Sequence, residues 1–118
     1  MAKRSKYGVA AKKDRTHKDG TVYMSKLEMN YRKHLDLLKK ATNPKNKVVN
    51  YSEQVPMEVY INGFKIFKYI LDFKVEYADG RIEYVDAKGV LTSIYRLKKK
   101  AVEAYFGIKI KEVKRGDF

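Results

Sequence analysis

Apolar residues recur at helical spacing in the first third of the chain, at Leu27, Tyr31, Leu35 and Leu38. This period predicts a helix that begins at Ser25 and runs to about Lys40, because Asn43-Pro44 then interrupts the pattern. Glu28 completes a Ser-x-x-Glu capping box with Ser25, so its carboxylate has an ordinary role available at the helix start. Glu28 also borders the apolar stripe, which would point it toward the rest of the domain.

The middle of the chain has the character of β-strands in three segments, residues 48–61, 64–77 and 81–88. Asn62-Gly63 lies between the first two segments, and this dipeptide is a strong signal of a two-residue type I′ hairpin. Residues 78–80, Ala-Asp-Gly, separate the second segment from the third. Strands joined by such short connections are antiparallel.

A second helix and a last strand follow. Thr92 or Ser93 is the expected cap of the helix, and Gly107 is its expected left-handed terminator. The buried stripe of this helix is expected to be Ile94, Leu97, Ala101 and Ala104. Residues 108–113 form the last strand. The order helix, three antiparallel strands, helix, strand predicts a mixed α/β (α+β) domain in which one sheet is covered by helices.

The loop at residues 78–80 decides which residues of the second and third strands face each other. A two-residue loop places Asp72 and Asp86 on opposite faces of the sheet. A three-residue loop, with Gly80 in the left-handed bulge position, pairs Asp72 directly with Asp86. Facing residues have Cβ atoms about 5 Å apart, which is close enough for two carboxylates to bind one ion. We expect the three-residue loop.

Side-chain alternation agrees with this register. One apolar face of the second strand is expected to be formed by Phe67, Tyr69, Leu71, Phe73 and Val75. Asp72 then lies on the other face, although aspartate is uncommon inside strands. Lys88 shares a face with Asp86, because the two are two residues apart; an ordinary surface ion pair is the alternative. Facing aspartates repel each other, so we expect Asp86→Ala to relieve repulsion in the metal-free protein.

The net charge of the chain indicates the kind of partner that it binds. The chain has 118 residues, 27 Lys and Arg against 14 Asp and Glu, a formal net charge of +13 and no cysteine. Such an excess is typical of phosphate binding, and the lack of cysteine excludes disulfides and Cys-based zinc sites. Residues 1 to about 20 are basic and poor in apolar side chains, which predicts a flexible arm before a single domain at residues 21–118. A solubilising tail is the alternative. We expect His17 to lie at the surface.

Membrane binding is not expected, because no run approaches the roughly 18 apolar residues of a transmembrane helix. The N-terminus lacks the apolar region of a secretory signal. We therefore expect a cytoplasmic protein.

Short motifs occur in a fixed order along the chain: Lys6-Tyr7-Gly8, Ser25-Lys-Leu-Glu28, Leu71-Asp72-Phe73, Val85-Asp86-Ala-Lys88-Gly89 and the run Tyr95-Arg-Leu-Lys-Lys-Lys100. In order and spacing they resemble the PD-(D/E)XK nuclease superfamily, and more narrowly a family of small phage-encoded endonuclease-like proteins related to Holliday-junction resolvases. The resemblance extends from Lys6 to Val113. The departures are that no proline precedes Asp72, that Asp86 stands where Glu is commoner, and that Asn-Pro-Lys-Asn is inserted before the first strand.

The resemblance implies a restriction-endonuclease-like core and a metal-dependent endonuclease that hydrolyses DNA phosphodiester bonds, either at branches such as Holliday junctions or as a nicking enzyme. It implies Mg²⁺, or Mn²⁺, held by Asp72, Asp86, the backbone carbonyl of Ala87 and Glu28, the last directly or through water. Lys88 would orient or deprotonate the attacking water and offset transition-state charge. No organic cofactor is implied, and a phage-encoded enzyme would act in the host cytoplasm.

Basic residues outside this set are the expected DNA contacts, namely Arg96, Lys98, Lys99 and Lys100 on the second helix and Lys12, Lys13 and Arg15 in the arm. A solvated helix face is the alternative for the helical group. Cutting both strands at a branch requires two copies, so a homodimer is expected, with a monomeric nickase as the alternative. Its contact surface is expected at the sheet edge or in residues 48–61, where Val55, Val59 and Ile61 exceed what one small core needs.

Two further classes of function are open at this point. A non-catalytic nucleic-acid-binding module, perhaps RNA-directed, would bind without divalent ions and stack bases on strand tyrosines. The candidates are Tyr51, Tyr60, Tyr69, Tyr77 and Tyr84, although most are expected in the core. A structural protein of a virion would be incorporated stoichiometrically into particles.

Overall fold

A four-stranded mixed sheet and two helices make up the part of the chain that the computed structural model describes, residues 10–89 and 91–118. The elements are a short 3-10 turn at Lys12–Arg15, α1 at Lys26–Leu38, β1 at Val48–Ile61, β2 at Phe64–Tyr77, β3 at Ile82–Ala87, α2 at Ser93–Phe106 and β4 at Ile110–Val113. The strand order is β1-β2-β3-β4; β1 to β3 are antiparallel, and β4 is parallel to β3. The predicted α+β order of elements is confirmed.

Side-chain caps start both helices. The Ser25 hydroxyl accepts a hydrogen bond from the Glu28 N–H at 3.1 Å, and the Thr92 hydroxyl accepts one from the Tyr95 N–H at 3.1 Å. Gly107 ends α2 with a φ of 67°, in the left-handed region that favours glycine. Within the described residues, neither helix is long and apolar enough to cross a membrane.

The first hairpin has the predicted two-residue turn. Asn62 and Gly63 both have positive φ, 51° and 80°, which is the signature of a type I′ turn, and Ile61 pairs with Phe64. The alternation of apolar and polar residues and the Asn-Gly dipeptide therefore predicted the bounds of β1 and β2 correctly.

The second hairpin has the predicted three-residue loop. Gly80 has a φ of 90°, and the Tyr77 N–H donates to the Arg81 carbonyl at 2.9 Å. The β2–β3 register pairs Phe73 with Val85, so the next residues toward the open end of the sheet, Asp72 and Asp86, face each other. The register that brings the two acids together is therefore confirmed.

The long β1–β2 hairpin divides between two apolar cores. Phe73 and Val75 belong to the core that contains Tyr31 and Leu35 of α1, together with Met29 and Tyr23. By contrast, Tyr69 and Leu71 belong to the core that contains Val102 of α2. The prediction of one continuous apolar face along β2 is therefore wrong. The switch from one core to the other occurs at Asp72 of β2. Across from Asp72, Gln54 of β1 has a φ of 52°, and this left-handed conformation bends β1.

The buried stripe predicted for α2 is also wrong. Ile94 and Leu97 are 68% and 71% exposed, Ala104 is exposed, and the buried residue of this helix is Val102. The sequence carries apolar residues on more than one side of α2. Packing of Val102 with the second core, together with the Tyr95 hydroxyl reaching the sheet, selects the other side.

The described part of the predicted N-terminal arm lies against α1. His17, expected at the surface, is buried, with its Nε2 3.5 Å from Asp36 Oδ2. The carboxylate of Asp19 pairs with Arg32 at 2.6 Å. The sequence pattern did not predict these contacts, because they join a basic segment to acidic and arginine side chains of the folded body. Residues 1–9 of the arm lie outside the described residues.

Candidate functional site

The side chains of Asp72 and Asp86 continue the hydrogen bonding between β2 and β3 beyond the last backbone pair. The backbone pairing stops at Phe73 and Val85. Beyond it, the Asp72 N–H donates to Asp86 Oδ1 at 3.1 Å, and the Ala87 N–H donates to Asp72 Oδ2 at 2.9 Å. Each carboxylate thus satisfies a backbone donor on the opposite strand. Asp86 has no exposed surface and Asp72 is 9% exposed, so both side chains are held in place.

Two tyrosine hydroxyls also bind Asp86. Tyr69 and Tyr95 both donate to Asp86 Oδ2, the latter at 3.3 Å. Burial raises the pKa of both phenols, and both therefore remain donors at neutral pH. The next largest cause is the hydrogen bond to Asp86 for Tyr69 and the charge of Asp86 for Tyr95. The Lys88 ammonium lies 4.9 Å from the centroid of the Tyr95 ring. Tyr95 therefore links α2 to both the acid and the lysine of the Asp-x-Lys motif.

Glu28 approaches the two aspartates from the first turn of α1. It is 4% exposed, and its Oε1 accepts a hydrogen bond from the Gln54 side-chain amide at 2.7 Å. Burial, with repulsion from Asp72 and Glu53, raises the pKa of Glu28 to about 7. Burial, with repulsion from Asp86, raises the pKa of Asp72 to about 6.

Residues 4–116 match the model of a family described as "Protein of unknown function (DUF1064)". The chain belongs to this family. Neither the curated proteins nor the solved structures gave a match. The description of DUF1064 names no activity.

The structure of this DUF1064 chain brings the four predicted catalytic residues into one neighbourhood. Asp72 and Asp86 are joined by the hydrogen bonds described above. The charge of Asp72 contributes to the raised pKa of Glu28. The Lys88 ammonium partly offsets the rise in the pKa of both Glu28 and Asp72. Ala87 contacts Asp72 through its N–H rather than through the carbonyl that we expected to ligate a metal.

These residues fit a hard divalent cation in donor chemistry. Across residues 10–89 and 91–118, no three Asp, Glu or His side chains stand close enough together to hold an ion in the present conformation. Gln54, Ala87, Tyr69 and Tyr95 instead occupy the carboxylate oxygens with hydrogen bonds. Two buried carboxyls with raised pKa, set among further acids, are the environment that a cation with oxygen ligands stabilises. Binding would exchange some of these hydrogen bonds for metal ligation.

The basic residues of α2 differ in their availability. Arg96 and Lys100, one helical turn apart, are exposed. Lys99 pairs with Glu112 at 3.4 Å, and Lys98 lies 5.7 Å from the centroid of the Phe67 ring. Because α2 is turned relative to the predicted stripe, two of the four predicted DNA contacts have partners within the protein.

The basic residues of the N-terminal segment divide similarly. Lys12 and Lys13 are exposed on the 3-10 turn. The Arg15 guanidinium donates to the carbonyls of Ala10 and Tyr23, so it holds the segment together.

Sequence reasoning missed the roles of Gln54, Tyr69 and Tyr95. The sequence pattern assigns Tyr69 to an apolar face and Tyr95 to a basic motif. The spacing of three residues between Tyr69 and Asp72 does not suggest that Tyr69 contacts the next strand. Gln54 has no local signal, because its position depends on the bend of β1. Together with Glu28 and Glu53 it lines a pocket of about 270 Å³ beside the acids.

The raised pKa values predict an unusual pH dependence of stability. A carboxyl whose pKa rises on folding, from 4.5 to about 7 for Glu28 and from 3.8 to about 6 for Asp72, favours the folded state below the lower value, and this contribution is lost as pH rises through the higher one. The free energy of unfolding of the metal-free protein should therefore fall between about pH 4 and about pH 7. Urea unfolding should show that Glu28→Gln and Asp72→Asn each remove roughly 1 to 3 kcal/mol of this fall.

Glu76→Gln is the matched control, since it removes a carboxylate from β2 outside the site. A fall in stability that is equally steep in Glu28→Gln, Asp72→Asn and the wild type would contradict this account of the acids.

Asp86→Ala should destabilise the protein, which reverses the expectation from sequence. The substitution leaves the Tyr69 hydroxyl and the Asp72 N–H without an acceptor in a buried place, at a cost of about 2 to 4 kcal/mol. Asp86→Asn retains an oxygen acceptor and should cost less. Urea unfolding compares the two variants, and an alanine variant as stable as the wild type would show that repulsion between the aspartates dominates after all.

Proposed function

We propose that this chain is a metal-dependent DNA endonuclease that hydrolyses phosphodiester bonds. The observation that carries the proposal is the convergence of Glu28 from α1, Asp72 from β2, and Asp86 with Lys88 from the end of β3. A buried acidic cluster attracts a cation, and a chain of net charge +13 attracts a polyanion. A phosphodiester held on a metal ion satisfies both requirements.

Each residue of the cluster has a role in this reaction. Asp72 and Asp86 would hold Mg²⁺ or Mn²⁺, with Glu28 as a third carboxylate. The bound ion lowers the pKa of a water molecule and neutralises non-bridging phosphate oxygens. Lys88, set beside the Tyr95 ring, would orient the attacking water or offset charge on the phosphate.

The arrangement of elements supports a restriction-endonuclease-like core of the kind that the motifs resemble. The mixed sheet with the acids at the open end of the β2–β3 ladder is compatible with that core, and the quoted motifs from Ser25 onward follow its order of elements. Branched DNA or a nicked duplex is the proposed substrate by the same resemblance. A cytoplasmic site of action belongs to this proposal.

The strand tyrosines favour the endonuclease over a non-catalytic binding module. Tyr69 and Tyr77 are buried, and the hydroxyls of Tyr51 and Tyr77 donate to Asp36 and Glu83. Stacking of bases requires exposed rings. Of these strand tyrosines Tyr60 is exposed, whereas Tyr51 and Tyr84 are half-buried. The sheet therefore offers little platform for bases.

Cleavage of supercoiled plasmid and of a four-way junction, with and without Mg²⁺, tests the proposed activity. Asp72→Asn and Lys88→Met should reduce cleavage about 100-fold or more while DNA binding, measured by gel shift, survives. Glu76→Gln, with its charge outside the cluster, should cut like the wild type. Metal-independent cutting, or wild-type rates in both site variants, would show that the chemistry lies elsewhere.

Salt dependence of DNA binding tests the proposed contact surface. If Arg96 and Lys100 each contact a phosphate, the double alanine variant should reduce the slope of log K against log[salt] by about 2. Lys45→Ala with Lys47→Ala is the matched control. The Lys47 carbonyl accepts a hydrogen bond from the N–H of Ala78, which follows the last residue of β2 and lies six residues from Asp72, or about 20 Å along the strand. Equal effects of the two double variants would mean that α2 does not lead the contact.

We also propose a homodimer, because cutting two strands at a branch needs two copies of a site that cuts one. Exposed apolar surface lies in part within residues 48–61, as the sequence suggested, and in part on α2. Val59 is buried in the second core and Val55 packs against it, whereas Ile94 and Leu97 of α2 are exposed, as is Ile61.

Light scattering at assay concentration should therefore give twice the monomer mass, and junction cleavage should give paired symmetric incisions. A monomeric mass with single incisions would identify a nickase instead.

A further inference from the structure

The side chain of Gln54 in β1 donates a hydrogen bond to the acidic cluster. Its Nε2 donates to Glu28 Oε1 at 2.7 Å. The same side chain also opposes the rise in the pKa of Asp72. One amide from β1 thus bonds to the carboxylate of α1 and acts on that of β2.

The backbone at Gln54 has a costly conformation. Its φ of 52° lies in the left-handed region, which disfavours residues other than glycine. The neighbouring residues Glu53 and Val55 keep the regular β1–β2 register, so the strain is confined to this residue. Local strain of this kind persists where the surrounding structure fixes it, and it is concentrated at functional sites.

The chemistry of a primary amide suits a place between two carboxylates that also attracts a cation. In the metal-free protein an N–H of the amide offsets the charge of Glu28. Rotation of the amide group by half a turn exchanges the nitrogen for the carbonyl oxygen at nearly the same position. Amide carbonyls are ordinary ligands of hard divalent cations. Gln54 is an exposed residue beside the pocket formed with Glu28 and Glu53, so nothing in its burial prevents this rotation.

We infer that Gln54 is part of the metal centre: its amide nitrogen donates to Glu28 in the metal-free protein, and its carbonyl oxygen ligates the divalent ion when the ion is bound. The inference rests on the proposed function for the presence of an ion at this cluster. It adds a neutral ligand from β1 to the carboxylates of α1, β2 and β3.

Mn²⁺ binding, measured by titration calorimetry and by the metal-dependent shift in melting temperature, tests the inference without a cleavage assay. Gln54→Met has a similar size but no oxygen, and it should weaken Mn²⁺ binding about 10- to 100-fold. Gln54→Glu keeps an oxygen at this place and should bind Mn²⁺ at least as tightly as the wild type. Both variants should melt earlier than the wild type near pH 8 without metal, because Glu28 loses its donor. Mn²⁺ should restore the melting temperature of Gln54→Glu but not that of Gln54→Met.

The opposite result distinguishes a ligand from a donor that only positions the acids. A donor competes with the ion for the carboxylates, so its removal in Gln54→Met would leave Mn²⁺ binding unchanged or tighter, and that result overturns the inference. Ser52→Met, at an exposed position two residues earlier in β1, is the matched control and should bind Mn²⁺ like the wild type.

Asp72→Asn separates failure of this inference from failure of the proposed function. Binding that is lost in Asp72→Asn but intact in Gln54→Met overturns the role of Gln54 and leaves the metal centre standing. A wild-type protein that binds no Mn²⁺, or binds it equally well as Asp72→Asn, overturns both.

Discussion

The reciprocal hydrogen bonds between Asp72 and the end of β3 fix the geometry on which the rest of the site depends. Where the backbone ladder stops, the Asp72 N–H binds the Asp86 carboxylate and the Ala87 N–H binds the Asp72 carboxylate. These bonds hold two acids face to face in a buried place, which costs free energy unless donors or a cation surround them. Tyr69 and Tyr95 supply donors to Asp86 from β2 and α2, and Gln54 supplies one to Glu28. Parts of the fold far apart in sequence are thereby tied to one cluster.

The electrostatic arrangement is opposite in sign to that of the chain as a whole. A net charge of +13 favours contact with a polyanion, yet the best-formed polar site collects carboxylates. Lys88 alone does not balance them, since the pKa values of Glu28 and Asp72 stay raised in its presence. The metal-free protein therefore stores unfavourable charge in a cluster that a divalent ion would relieve. This difference between the two states is the physical reason to propose metal-dependent chemistry on a nucleic-acid phosphate.

The sequence predicted the elements and the facing of Asp72 and Asp86 well, because turn residues and strand alternation are local signals. Gly80 and Asn62-Gly63 set both hairpins, and the caps set both helices. The orientation of α2 was not predictable in this way. Ile94 and Leu97 form as good an apolar stripe as the side that is buried, and tertiary packing of Val102 decides between them. The bend at Gln54, which divides β2 between two cores and places the amide on the acids, depends on strain that no local preference encodes. The contacts of His17 and Asp19 with α1 likewise arise from long-range pairing.

A crystal structure of the protein grown with Mn²⁺, with anomalous data that locate the ion, tests the central claim most directly. The account predicts one anomalous peak within bonding distance of carboxylate oxygens of Asp72 and Asp86, and next to Glu28, with at least one of the present hydrogen bonds to these acids replaced by the ion. Full occupancy of Mn²⁺ elsewhere on the surface, with Gln54, Tyr69 and Ala87 still bound to the carboxylates as they are now, would contradict it.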